Sequence, residues 1–167
     1  MASDYRIDTG RIPWSMAAGA LTGATIIAAP TLVLSLLYDS IERFLTVNFL
    51  MVMWTFVIAF VVWAIGLVVV GLPLWWLLHK KGVRRWWVAA LCGAVAAFVG
   101  SFALYLALTL PGGGSYSDSG GHTMIDGELT AYGWQSIVLG AAEIGVCGAI
   151  VAAVIWRIAY RRVDQPA

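Results

Sequence analysis

Charge is what this sequence lacks most. Lys and Arg number 10 and Asp and Glu 9 among 167 residues, or 11% of the chain, where a soluble domain carries roughly a quarter. So few polar side chains cannot cover a water-facing surface, and a soluble globular domain is excluded. Cysteine is almost absent. Cys92 and Cys147 both lie in apolar runs, so no secreted disulfide framework is expected. There are two histidines, His79 and His122. With so few, the paired histidines of a zinc protease or a bis-histidine haem site cannot be assembled across the spans. The chain has no phosphate-binding glycine–lysine loop and no Cys-x-x-Cys pair. No Ser–His–Asp arrangement emerges either, so no catalytic residue, cofactor or metal is expected. The cations are dispersed as short flanks, with no basic surface suited to nucleic acid.

Long apolar runs take the place of charge. The composition is 61% hydrophobic, and a hydrocarbon core about 30 Å thick is crossed by about 20 apolar residues. The sequence predicts an all-α, polytopic bundle of four transmembrane helices, over about 14–38, 46–78, 86–110 and 133–160. Residues 1–13 and 161–167 form tails, and 111–132 an outer loop. Pro13 suits the first turn of span one. The first run reaches Leu37, too long for a signal-peptide core, and is read as a retained helix. Span two is too long: 33 residues would reach about 50 Å at 1.5 Å per residue. Gly71 and Pro73 give a reason for a break.

Basic residues fix an expected orientation. Lys80, Lys81, Arg84 and Arg85 lie between spans two and three. Arg6 and Arg11 precede span one, and Arg157, Arg161 and Arg162 close span four. The other two loops, Asp39 to Leu45 and Pro111 to Tyr132, carry only Arg43. The positive-inside bias then places both termini and the His79–Arg85 hairpin in the cytoplasm, and a bacterial inner membrane fits the compact chain. Lys80, Lys81, Arg84 and Arg85 are also candidate contacts for anionic lipid headgroups. Trp14, Trp75, Trp76, Trp86, Trp87 and Trp156 mark the inner boundary, and Tyr132 and Trp134 the outer one.

Close packing must associate helices in lipid, where burying leucine gains little. Small residues recur every four positions at Ser15, Gly19 and Gly23, at Ala89, Gly93, Ala97 and Ser101, and at Ala141, Gly145, Ala149 and Ala153. These are candidate packing faces within the bundle, with a subunit interface as the alternative for one of them. Span two lacks such a ladder and is the expected lipid-facing helix. Pro30 in the outer half of span one is expected to bend it.

One residue demands an account. Glu143 is the only charged side chain well inside a span, roughly 15 Å from Gly133 along the helix. An isolated carboxylate at that depth is costly, so it is expected to be neutral, hydrated or hydrogen-bonded, facing the bundle or an oligomer interface. Ser136, Gly140 and Cys147 lie broadly on its face. Matching depths gives Thr25, Thr55, Ser101 and Tyr105 as candidate partners. A structural anchor, a contact with another protein, and an ion, proton or ligand site all remain open.

In the outer loop, His122, Asp126 and Glu128 are of metal-binding type. The surrounding glycines and serines predict instead a flexible, solvated segment, with partner docking as the alternative. The expected role is that of a non-catalytic integral membrane protein, an oligomeric or accessory subunit whose partners are membrane lipids and itself or another membrane protein. The alternative is a small oligomeric transporter or channel with Glu143 near the pathway.

Overall fold

The computed structural model describes residues 5–7, 9–38, 48–82, 85–109, 114–118 and 120–162. The connection after Tyr38, with Asp39, Glu42 and Arg43, and the hairpin residue Arg84 lie outside them.

Four helical segments are long and apolar enough to cross a membrane, and the chain is a multi-pass, all-α bundle. Helix α1 spans Ile12–Tyr38 and opens with Pro13 in its first turn, where the missing N–H costs no hydrogen bond. It continues without interruption through Pro30. Beyond Pro30 its surface is almost wholly exposed, and Leu32, Val33, Leu34, Leu36 and Leu37 leave the packed core.

The second span runs Phe49–Lys80 as one continuous helix, and where Gly71 and Pro73 gave a reason for a break it changes its winding instead. Helix α2 (Phe49–Gly66) passes through a π-helical turn, Leu67–Gly71, into α3 (Leu72–Lys80). Pro73 sits at the start of α3. The widened turn absorbs the missing donor while the axis continues. Ala59 is the one buried residue in α2. Helix α4 is Trp86–Thr109 and α5 is Ala131–Ala159.

The helices form an open arc in the spatial order α2, α1, α5, α4, with the strongest seam between α4 and α5. Helix α2 rests on α1 and has almost no contact with α4. Small residues explain the seams. At Gly23 a Cβ would lie 2.5 Å from the Trp63 ring of α2, and at Gly19 it would lie 2.6 Å from Ile155 of α5. Ser15, at the same face, is 1% exposed, and its hydroxyl donates to the Ile12 carbonyl at 2.8 Å. That internal bond lets a hydroxyl be buried without a partner on another helix.

Two small sheets cap the bundle. At one end β1 (Tyr5–Ile7) pairs antiparallel with β5 (Tyr160–Arg162), so the two ends of the chain meet there. At the other, β2 (Tyr116–Asp118), β3 (Gly121–Ile125) and β4 (Glu128–Leu129) form an antiparallel meander. This corrects the expectation of a flexible outer loop. Asp126 and Gly127 both adopt positive φ, 51° and 84°, as a two-residue hairpin turn requires. Met124 is fully buried under the meander. The sheet is fastened to α5 by Thr130, whose hydroxyl accepts from the Gly133 N–H at 3.0 Å and donates to the His122 carbonyl. A Cβ at Gly133 would run into the Thr123 carbonyl, so the strand lies directly on the first turn of the helix.

Candidate functional site

The rotation of α5 about its own axis is set by its seam with α4. A Cβ at Gly148 would lie 2.5 Å from Ala97 Cβ and 2.6 Å from the Gly93 carbonyl oxygen. A Cβ at Gly93 would meet Ala152 Cβ at 2.5 Å and the Gly148 carbonyl oxygen at 2.6 Å. The backbones touch at this crossing. Gly145 lies against Ala94 and Phe98, and Ala141 is fully buried one turn away. The buried stripe runs Gly133, Ile137, Ala141, Gly145, Gly148, Val151, Ile155 and Ala159. Its spacing mixes fours with two threes, at Gly148 and Val151, because a straight helix repeats every 3.6 residues. A strict four-residue ladder drifts off the face. Ala149 and Ala153, which continue that ladder, are only half-buried, and Gly148 and Ala152 take the contact. On α4, Ala89, Gly93, Ala97 and Ser101 are all half-buried.

With that stripe turned inward, Glu143 is turned outward. Its side chain is exposed on the surface of the bundle and has no hydrogen-bond or ion-pair partner among the described residues. The surrounding surface holds Ser136, Leu139, Val146 and Ile150, all exposed, with Gly140 and Cys147 half-buried at its edge. None of the depth-matched partners reaches the carboxylate. The Thr25 hydroxyl donates to its own helix at Leu21, 2.8 Å away. Ser101 donates to the Ala97 and Phe98 carbonyls at 2.8 and 3.1 Å. Thr55 is half-buried on α2, a helix remote from α5 in the arc. Tyr105 comes nearest, its hydroxyl 3.4 Å from where a Cβ on Gly140 would sit, one turn from Glu143. Depth fixes the level of a residue along a span but not its direction around the axis. That direction follows from the Gly93–Gly148 crossing, and Gly148 lies outside the four-residue ladder.

At the other end of the bundle the aromatic residues pair. Trp75 stacks on His79 with ring centroids 5.6 Å apart, and Trp156 stacks on Tyr160 at 5.4 Å. The Lys80 ammonium sits 3.8 Å over the Trp76 ring. Lys81 and Arg85 are exposed at the two ends of the hairpin. Among the described residues no three His, Cys, Asp or Glu side chains converge on a point that would hold a metal ion. Comparison of the chain with models of known families, with characterised proteins and with solved structures found no match.

Proposed function

We propose that this chain is a non-catalytic membrane subunit that assembles, through the outward face of α5, with further copies of itself or with a larger membrane complex. The observation that carries the reading is the exposed, unpartnered Glu143 near mid-span. An ionisable side chain at a bilayer centre costs at least about 2.5–3.5 kcal/mol even on the mildest scale, and such residues face protein or water rather than lipid. A protein surface with a hydrogen-bond donor at that depth removes the cost. The flanking pattern suits such a surface: Ser136 permits close approach, and Leu139, Val146 and Ile150 supply packing. In this reading the membrane is a bacterial inner membrane, and the paired chain ends and the basic hairpin are cytoplasmic.

A transporter or channel built from several copies would also use Glu143, on a pathway between subunits. The cleft within one chain is lined almost entirely by apolar side chains, so a polar conduction path would have to form between copies.

Native mass spectrometry of the particle extracted in mild detergent tests the proposal. The expected result is a multiple of the 18.0 kDa chain or a stable hetero-complex. A strict monomer with no co-purifying protein, in every mild detergent, contradicts it.

A further inference from the structure

The arc of helices leaves a cleft of about 460 Å³ between α2–α3 on one side and α4 on the other, floored by Ile144, Gly148 and Val151 of α5. On α4 it runs from Ala89 to Leu108, a distance of about 28 Å at 1.5 Å per residue. The cleft is long and lined almost wholly by apolar side chains, as an extended acyl chain requires. Gly66 and Gly100 face the cleft from opposite walls, and a Cβ on either would meet nothing within 4 Å. They keep the cleft open at mid-depth rather than serving close helix packing.

One mouth of the cleft has a distinct chemistry. Trp75 lines it, and both Trp75 Nε1 and the neighbouring His79 Nδ1 are buried without a hydrogen-bond partner among the described residues. Lys81 lies three residues beyond Leu78 on one wall, and Arg85 one turn before Ala89 on the other. No acidic residue occurs anywhere from Asn48 to Ser117. A buried indole N–H seeks an acceptor, and two cations at a membrane boundary attract an anionic headgroup.

We propose that this cleft binds an anionic phospholipid of the leaflet facing the basic hairpin. One acyl chain lies along the cleft as far as Gly66 and Gly100, and the phosphate sits at the mouth formed by Lys81 and Arg85, within reach of the Trp75 indole. The site is independent of the α5 face, since Glu143 lies on the other side of that helix.

The test is lipid retention by the purified full-length protein, read by native mass spectrometry after exchange with phosphatidylglycerol or phosphatidylcholine. Phosphatidylglycerol is expected to be retained at least about five-fold better. Lys81→Ala with Arg85→Ala should reduce it to the phosphatidylcholine level while some chain-driven binding survives. Gly66→Leu with Gly100→Leu, which fills open space, should abolish retention of both lipids at unchanged thermal stability. Free glycerol phosphate should not compete. Equal retention of the two lipids by the wild type, retention by the filled-cleft variant equal to wild type, or displacement by glycerol phosphate overturns the proposal. The first and third outcomes are read on the unmodified protein, so the test does not depend on the folding of any variant.

Discussion

Replacing Gly148 by leucine is expected to detach α4 from the rest of the bundle. The atoms a side chain would meet there are Ala97 Cβ at 2.5 Å and the Gly93 carbonyl oxygen at 2.6 Å, and neither is the movable end of a flexible side chain. The backbones have to separate. Overpacking in a core costs about 1–3 kcal/mol and occasionally more. This site belongs at the upper end, because the α5 seam is the main attachment of α4, which scarcely touches α2. In lipid the lost close contact is not replaced by a hydrophobic drive to reassociate. The midpoint of unfolding in mixed micelles should fall sharply, and Cys92, half-buried on α4, should alkylate faster. Gly100→Leu is the control: it carries the same side chain into open space and should leave both readouts near wild type. Equal behaviour of the two variants would show that the Gly93–Gly148 crossing is not what holds α4.

The second large effect concerns association rather than folding. Glu143→Ala removes an exposed side chain, so the isolated chain should fold as before and insert more readily. If a partner donates a hydrogen bond to Glu143, its loss weakens the complex by about 0.6–1.7 kcal/mol, from the average to the largest value for interhelical hydrogen bonds in membranes. That corresponds to about a 3- to 20-fold rise in the dissociation constant. Glu143→Gln keeps a hydrogen-bonding group of nearly the same shape and should retain most of the affinity. The measurement is the assembled fraction against protein-to-lipid ratio in bilayers, by energy transfer between labelled chains if the partner is a second copy, or between the chain and its co-purifying partner otherwise. A Glu143→Ala chain that assembles like wild type would place the carboxylate outside any interface.

The four spans were legible because lipid demands long apolar runs; the expected start of the second at 46 and end of the third at 110 lie outside the described residues. The helix ends that moved did so for local reasons: Thr130 caps α5 at Ala131, and the π-turn carries the second span on to Lys80. Exposure does not set α2 apart: it buries Ala59 alone, and α4, with its ladder of small residues, has no fully buried residue. Two features were not read. The outer meander was obscured by its glycines and serines, although Asp126–Gly127 between short apolar-containing stretches is a hairpin signal. The direction of Glu143 was hidden for a different reason. Which of two crowded stripes of small residues makes the closest approach depends on both helices at once, and a one-residue choice, Gly148 in place of Ala149, turns the helix by about 100°. The ladder of fours in α5 kept Ala141 and Gly145 in the seam but ran off it at Ala149 and Ala153.

The most direct test of the α5 face as a protein interface is photo-cross-linking in native membranes from a benzophenone amino acid placed at Leu139 or Ile150. Both positions are exposed and flank Glu143, and Ile58 and Val61 on α2, equally exposed, serve as reference. A discrete protein adduct is expected from Leu139 and Ile150, either to a second copy or to one defined partner, well above the reference positions. Lipid adducts alone from Leu139 and Ile150, indistinguishable from those at Ile58 and Val61, would contradict it and leave Glu143 facing the bilayer.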